Sequence, residues 1–555
     1  MTRHPSETIR LSAEWAAYGD ALGFMTELAD AERVRYRSGA EYVSATSSWR
    51  RKVGGYSGTT FELPAGTYSD DTQLRLATAR AIRADGSFDV AAFAKVELTA
   101  WSNYALGAGI SSKEAAANLA RTSATWYSNF FGGKRSAYVK SGGNGAAMRV
   151  QPHVWAARDL SKYDEILLDV FRNSICTHGH PRGFVGACFH ALSLAFAMRT
   201  GSPASLLELA KQAEVLRGLP LLIERDRDIR ILWLDAWQKA SNRSFTDGVN
   251  DAVDEIVQYL DKLSALDGNS LDVAYPDALD LLAAKADQSR GSGTVTAVLA
   301  AFASSVADVS DPKRALLVLA NALGSDTDSI ASMAGAIVGA STTVECSDTI
   351  QDISYIRESA LRLAKVSAGE KAQSFRYPDL RSWKPERTAI DVVGLIDDAL
   401  YLNGLGRLEK LASKESKETG NETLGWFRTE FGQTILARSR SEKKVLSPNF
   451  SSANANSSNG QDARGARPPG RLADLFTKSE PQVLSRKNQS EVDDGGVSLN
   501  ELLKRIIADN FDPETVGRAL LQQVKEGNGD FVERGVALTA TVLTAYEARL
   551  KRTSR

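Results

Sequence analysis

The chain has 555 residues, 43% of them hydrophobic and 24% charged, with a formal net charge of −1. That balance gives no global field for nucleic acid or for an anionic membrane surface. Three cysteines, Cys176, Cys188 and Cys346, are too few for a disulfide framework and suit a reducing compartment.

The N-terminal stretch MTRHPSETIRLSAEW lacks an apolar signal-peptide region, and no apolar run of about 18 residues suggests a membrane span. The expectation is a soluble, cytoplasmic protein with no membrane partner. Residues 1–345 read as a mostly helical body, with Ala, Leu and charged residues at helical spacing in DDTQLRLATARAIRADG and CFHALSLAFAMRTG.

The first string of interest is GDALGFMTE at 19–27. Its Ala/Gly-rich part permits close backbone approach. A helix continuing from Leu22 would project Glu27 about one turn later, where a glutamate beside a bound water serves as general acid or base; an ordinary surface glutamate is the alternative. Residues 31–68 follow, with Tyr36, Tyr42, Trp49, Tyr56, Phe61 and Tyr68 among Gly, Ser and Arg. A connector this long between chemical motifs points to a lid or specificity loop rather than an irregular excursion.

SDDT at 69–72 places Ser69 as a helix N-cap ahead of Asp70 and Asp71, with QLRLATARAI running on behind. The helix dipole and free N–H groups there favour carboxylates. GGNGAAMR at 142–149, after Ser141, offers the backbone N–H groups of Ser141, Gly142, Gly143, Asn144 and Gly145 as an anion cradle, or is simply a turn. In THGHP at 177–181, two histidines without further spaced ligands do not make a zinc site. His178 reads as bonding a ligand phosphate, stacking on a base, or filling a structural role.

GSDTDSIASMAGAIVGA at 324–340 sets Asp326, Asp328 and Ser329 at the start of a helix built from Ala and Gly, which another backbone can approach closely. Two carboxylate clusters, each with a hydroxyl and each opening a helix, repel unless something positive lies between them. Their oxygens are hard ligands suited to a pair of divalent cations, magnesium, manganese or calcium rather than zinc.

Residues 346–440 continue with helical stretches such as DISYIRESALRLAKV and then an irregular part around Phe375, Tyr377, Trp383 and Pro385, an extension of uncertain fold. Residues 441–497, including SSANANSSNGQDARGARPPG, are too polar to offset their ordering entropy and read as a disordered linker. Residues 498–555 read as a helical module. Ser498 and Glu501 form a capping-box pattern, Asp512-Pro513 opens a second helix and Asp530 a third segment. So small a bundle is marginal alone, which favours self-association or a protein partner.

The four strings, in this order, resemble the ADP-ribosylglycohydrolase family over roughly residues 12–345. The resemblance implies an all-α fold around a binuclear magnesium or manganese centre, two Mg2+ or two Mn2+. It implies Ser69, Asp70 and Asp71 as ligands from one side and Asp326, Asp328 and Ser329 from the other. Ser329 stands where members often have Thr, and Ser325 where they usually have Gly. Catalysis falls to Glu27, Asp70, Asp71 and Asp326. Ser141, Gly142, Gly143, Asn144 and Gly145 match a diphosphate-binding loop, and His178 a ligand-contacting histidine. The implied activity is hydrolysis of the N- or O-glycosidic bond between ADP-ribose and an acceptor: protein, nucleic acid or small molecule. The rival expectations are an inactive ADP-ribose-binding scaffold that recruits partners through its C-terminal module, and a metal-dependent phosphohydrolase. Arg33, Arg35, Arg37, Arg50, Arg51 and Lys52 make the 31–68 segment basic, which suits an anionic acceptor such as nucleic acid, or is a solvated face.

Overall fold

The computed structural model describes residues 4–54, 58–133, 137–412, 414–447, 499–526 and scattered positions between 535 and 549. Tyr56, most of the expected linker (from 448 onward), Ser498 and Asp530 lie outside the described residues. The chain divides into two compact units, Met1–Asn456 and Ser457–Arg555.

In the first unit, helix α1 (Pro5–Phe24) starts at the His4 N-cap with Pro5 in the first turn. It is buried on nearly every side, because it lies backbone to backbone against the helix Thr327–Ser341. A Cβ on Gly19 would fall 2.2 Å from the Ala331 carbonyl oxygen, and one on Gly335 2.3 Å from that of Trp15. Gly23 likewise abuts Thr327 and Asp328, and Gly339 abuts Leu11. As one helix ascends the other descends, so they are antiparallel. The start of Thr327–Ser341 therefore sits beside the end of α1. Thr327 Oγ1 donates to Gly23 O at 2.8 Å and seals that junction.

Helix α2 (Ala31–Ser38) and the antiparallel hairpin of β1 (Trp49–Val53) and β2 (Thr59–Leu63) occupy the segment expected as a lid. Helix α3 (Asp70–Ala81) follows, buried along its whole length. The chain packs further helices around these, among them Ile110–Leu119, Pro181–Thr200 and Gly293–Val306, in the all-α arrangement expected of the body. Among the described residues only Pro181–Thr200 is long and apolar enough to cross a membrane, and 78% of its apolar window is buried inside the protein.

Residues 346–440 supply the helix Ile353–Ser367 and a six-stranded antiparallel sheet. Its strands are β3 (Val393–Ile396), β4 (Ala399–Leu402), β5 (Gly406–Lys410), β6 (Ser416–Thr419), β7 (Glu422–Thr429) and β8 (Thr434–Arg440), in the order β3-β4-β5-β7-β6, with β8 on the other side of β7. One hydrophobic core runs without a break from Ile9 to Ala437, so this extension shares the interior of the helical body.

The second unit contains the helices Leu499–Ala508 and Pro513–Glu526 around a small core of Leu502, Ile506, Ala519, Leu538 and Val542. The expected Asp512 cap is present: Thr515 N donates to Asp512 Oδ2 at 2.9 Å.

Candidate active site

Ser69 is the N-cap of α3, its hydroxyl accepting from Asp71 N at 3.2 Å. The start of this helix is held by a residue that sequence reasoning passed over. Asp20, in the fifth turn of α1, accepts from Ser69 N at 2.9 Å with Oδ1 and from Thr72 N at 2.8 Å with Oδ2. Three orphan donors of the first turn are thus satisfied by two carboxylate-bearing or hydroxyl-bearing side chains, which fixes the direction of Asp70 and Asp71. Asp20 lies inside GDALG, so the signal was present in the string but not separable from helix patterning.

The antiparallel packing of α1 brings the second cluster to the first. Ser329 Oγ donates to Asp71 Oδ2 at 3.3 Å, and Ser69 Oγ does so at 3.3 Å. Asp328 Oδ1 accepts from Ser329 N at 2.9 Å. Asn144 Nδ2 donates to Asp326 Oδ2 at 2.9 Å, tying the Gly-rich loop to the second cluster. Ser325, the departure from the family pattern, is accommodated: its buried hydroxyl donates to Ala322 O at 2.7 Å.

Glu27 does not continue the helix. Helix α1 ends at Phe24, and Glu27 stands in the following turn, ahead of Leu28 with φ +50°. It still reaches the site, lining a cavity of about 350 Å³ together with Asp70, Asp71, Asp326, Asp328, Ser329, Gly143, Asn144, Gly145 and His178. Ser141, Gly142 and Ser69 are not among the residues that form its wall. The wall also includes Gly107, Gly109, Ser111 and Ser112, a stretch sequence reasoning missed. Gly109 is the N-cap of Ile110–Leu119 and no side chain caps that end, so this helix presents its N-terminus to the cavity.

The Gly-rich cradle is narrower than its composition suggests. Ser141 N donates to Tyr138 O at 3.0 Å and Asn144 N to Gly291 O at 2.8 Å, so two of the expected anion donors are spent on the fold. The loop is tightly packed at Gly145, where a Cβ would lie 2.8 Å from Ser112 Oγ and 3.0 Å from His178 Cε1. Arg149, the last residue of GGNGAAMR, is fully buried and donates to Gly145 O at 2.9 Å and Thr177 Oγ1 at 2.8 Å.

Burial lowers the His178 pKa to about 3, with the Arg149 charge adding to the effect, so the imidazole is neutral. Its Nδ1 lies 2.7 Å from Thr177 Oγ1. The same oxygen accepts from Arg149 Nη2 at 2.8 Å and lies 3.5 Å from Ser174 O. Nε2 faces the loop, 3.3 Å from where a Gly145 Cβ would be.

Desolvation is the first cause of the raised pKa values of Asp70, Asp71, Asp326 and Asp328, and the negative charge of neighbouring carboxylates adds to it in each case. Asp71 Oδ1 is buried with no hydrogen-bond partner. Among the described residues no three His, Cys, Asp or Glu side chains already converge as a closed metal cage. The donor set nevertheless fits hard dications: it is all oxygen, buried, mutually repelling, and has an orphaned carboxylate oxygen.

The sequence model of the ADP-ribosylglycohydrolase family matches residues 16–366. A solved structure described as an ADP-ribosylglycohydrolase-related protein complex is similar at 17% identity and a TM-score of 0.42, over 66% of this chain and 100% of its own. No curated protein matches the chain.

Proposed function

This chain belongs to the ADP-ribosylglycohydrolase family, and we propose that it hydrolyses the glycosidic bond between ADP-ribose and an acceptor, releasing ADP-ribose. The observation that carries this is the meeting of Asp70–Asp71 with Asp326–Asp328 in one cavity beside Glu27 and the Gly-rich loop. Members of the family are generally metal-dependent. Ser69, Asp70, Asp71, Asp326, Asp328 and Ser329 would hold two Mg2+ or Mn2+ ions, which supply Lewis-acid activation of water and a grip on the ribose hydroxyls.

The residues of the chain divide the remaining work. Gly143, Gly145 and the N-terminus of Ile110–Leu119 bind the diphosphate, with His178 beside them in the cavity wall, so that binding energy far from the bond positions the reacting carbon. Asn144 orients Asp326 through its 2.9 Å bond. The bond at the anomeric carbon breaks through an oxocarbenium-like transition state. The attacking water gives its hydroxyl to that carbon, and Glu27 handles the proton. A cytoplasmic setting belongs to the same proposal, supported by three free, buried cysteines. Partner binding or self-association through 498–555 is supported by the exposed Leu521 and Leu543.

The test is release of ADP-ribose from modified substrates, with magnesium or manganese and with EDTA. Asp70→Asn and Asp328→Asn are expected to lower turnover at least a thousandfold (about 4 kcal/mol of transition-state stabilisation) while the helical circular-dichroism signal is kept. Undiminished turnover in either variant overturns the assignment. AMP as product would instead indicate phosphoanhydride cleavage.

A further inference from the structure

We propose that Arg51, carried on the hairpin, sets the charge of the acceptor: an anionic oxygen-linked acceptor, phosphate or carboxylate, is favoured over a cationic guanidinium, an inference that rests on the hydrolase function proposed above.

The basic side chains of the 31–68 segment do not form one surface. Arg35 pairs with Glu41, and Arg50 lines an outward groove with Thr60 and Lys417. Three others reach the turn that carries Glu27, Arg33 through Leu28 O at 3.3 Å and Arg51 and Arg37 at Glu27 itself. Arg51 Nη2 lies 2.7 Å from Glu27 Oε2, and Nη1 donates to Phe24 O at 3.4 Å. Its guanidinium is 4.1 Å from the Phe24 ring centroid and 5.8 Å from that of Trp49. Arg37 Nη1 donates to Glu27 O at 2.9 Å and Met25 O at 3.2 Å, with its guanidinium 5.8 Å from the Trp49 ring centroid.

This geometry has an electrostatic consequence. Glu27 is the cavity carboxylate outside the two aspartate clusters; its carboxylate pairs with Arg51 and its backbone carbonyl accepts from Arg37. Arg37 and Arg51 stand outside the cavity wall, against the turn that carries Glu27, and on that rim their two positive charges act against the one negative charge of Glu27. A cationic acceptor arriving at that rim meets repulsion and a carboxylate already bonded to Arg51. An acceptor that is anionic when bound, a phosphate, or that becomes anionic as it departs, a carboxylate, meets attraction in a half-buried setting, where screening is weaker than in bulk water. Its departure balances simply. The C1″–O bond breaks with the electron pair kept by the acceptor oxygen, the hydroxyl of water bonds to C1″, and the second proton of water passes to Glu27 and then to solvent. The stacks on Phe24 and Trp49 hold Arg51 in place, so the charge is fixed before substrate arrives.

The experiment compares kcat/KM on substrates that share ADP-ribose and differ in acceptor: the 1″-phosphate, a glutamate-ester peptide, a serine-linked peptide and an arginine-linked peptide. Each is measured with the wild type, Arg51→Gln and Arg51→Lys, and ratios are taken within one preparation, so that partial misfolding cancels. The wild type is expected to favour the phosphate or the carboxylate ester over the arginine linkage by at least about tenfold. Arg51→Gln is expected to cut that ratio about fivefold or more, and Arg51→Lys to restore most of it. A wild-type preference for the arginine linkage, or an unchanged ratio in Arg51→Gln, overturns the inference and leaves the hydrolase function standing. Release of ADP-ribose from none of the four overturns both. The phosphate and ester arms distinguish the two sources of negative charge.

Discussion

At the residue scale, the site is built by side chains that hold other side chains. Asp20 directs the first turn of α3, Arg149 anchors Gly145 and Thr177, and Arg51 engages Glu27. Ser69, Asp70, Asp71, Asp326, Asp328, Ser329, Glu27 and His178 were legible because their residue types and order carry the family pattern. Asp20, Arg149 and Arg51 were not, since their partners lie far along the chain or on another element. Buried imidazoles give a prediction at this scale. His190 is fully buried, with Nε2 2.9 Å from the Gln151 amide nitrogen and Nδ1 unpartnered, and burial lowers its pKa to about 3. The unfolded chain takes up a proton near pH 6.5 and the folded chain does not, so this stability is complete above that pH and is lost as pH falls toward 3. Between pH 6.5 and 5, urea unfolding should show the His190→Gln variant losing about 1.6 kcal/mol less stability than the wild type. Equal losses would place a proton on His190 in the folded state.

At the element scale, α1 and Thr327–Ser341 meet through glycines, and that contact delivers Asp326 and Asp328 to the end of α1. Gly335→Ala puts a Cβ 2.3 Å from Trp15 O, a backbone atom that cannot swing away. A destabilisation of about 1–3 kcal/mol is expected, seen as a lower Tm. Gly218 is the control: no atom lies within 4 Å of its Cβ position and its φ is −78°. Gly218→Ala should be neutral or raise stability by up to about 1 kcal/mol. A Gly335→Ala variant as stable as wild type would mean the two helices can part. The Ala/Gly composition of 324–340 already announced close approach, whereas the sheet was harder to read. β3 and β4 form a nearly continuous apolar run, VGLI–DD–ALYL, without polar alternation to mark a strand. Its turn uses Asp397 and Asp398, both at positive φ (47° and 61°), where Asn-Gly would have been the recognisable hairpin signal.

At the scale of the whole molecule, the extension grips both ends of α3. Tyr68, just before Ser69, donates to Asp352 Oδ2 at 2.9 Å. At the other end Arg80 forms a buried ion pair with Glu97 at 2.8 Å and donates to Gln433 Oε1 at 2.9 Å and Tyr355 Oη at 3.0 Å. Tyr377 donates to Glu97 Oε1 at 2.6 Å. A chain ending at residue 345 exposes this buried pair and the face of the shared core. It should aggregate or melt at least about 2 °C lower than a chain ending at 447, taking a loss of roughly 2 kcal/mol or more. Equal Tm values would show the extension to be dispensable. The local sequence determined the family, the helical body, the capped acidic starts of two helices and the oxygen-donor chemistry, because helix caps and glycine spacing act over a few residues. Only the tertiary structure decided which cradle N–H groups remain for a ligand, that Glu27 faces Arg51, and that a sheet beyond the family motifs braces α3. Those outcomes depend on contacts between segments distant in the chain, which no local pattern of residues encodes.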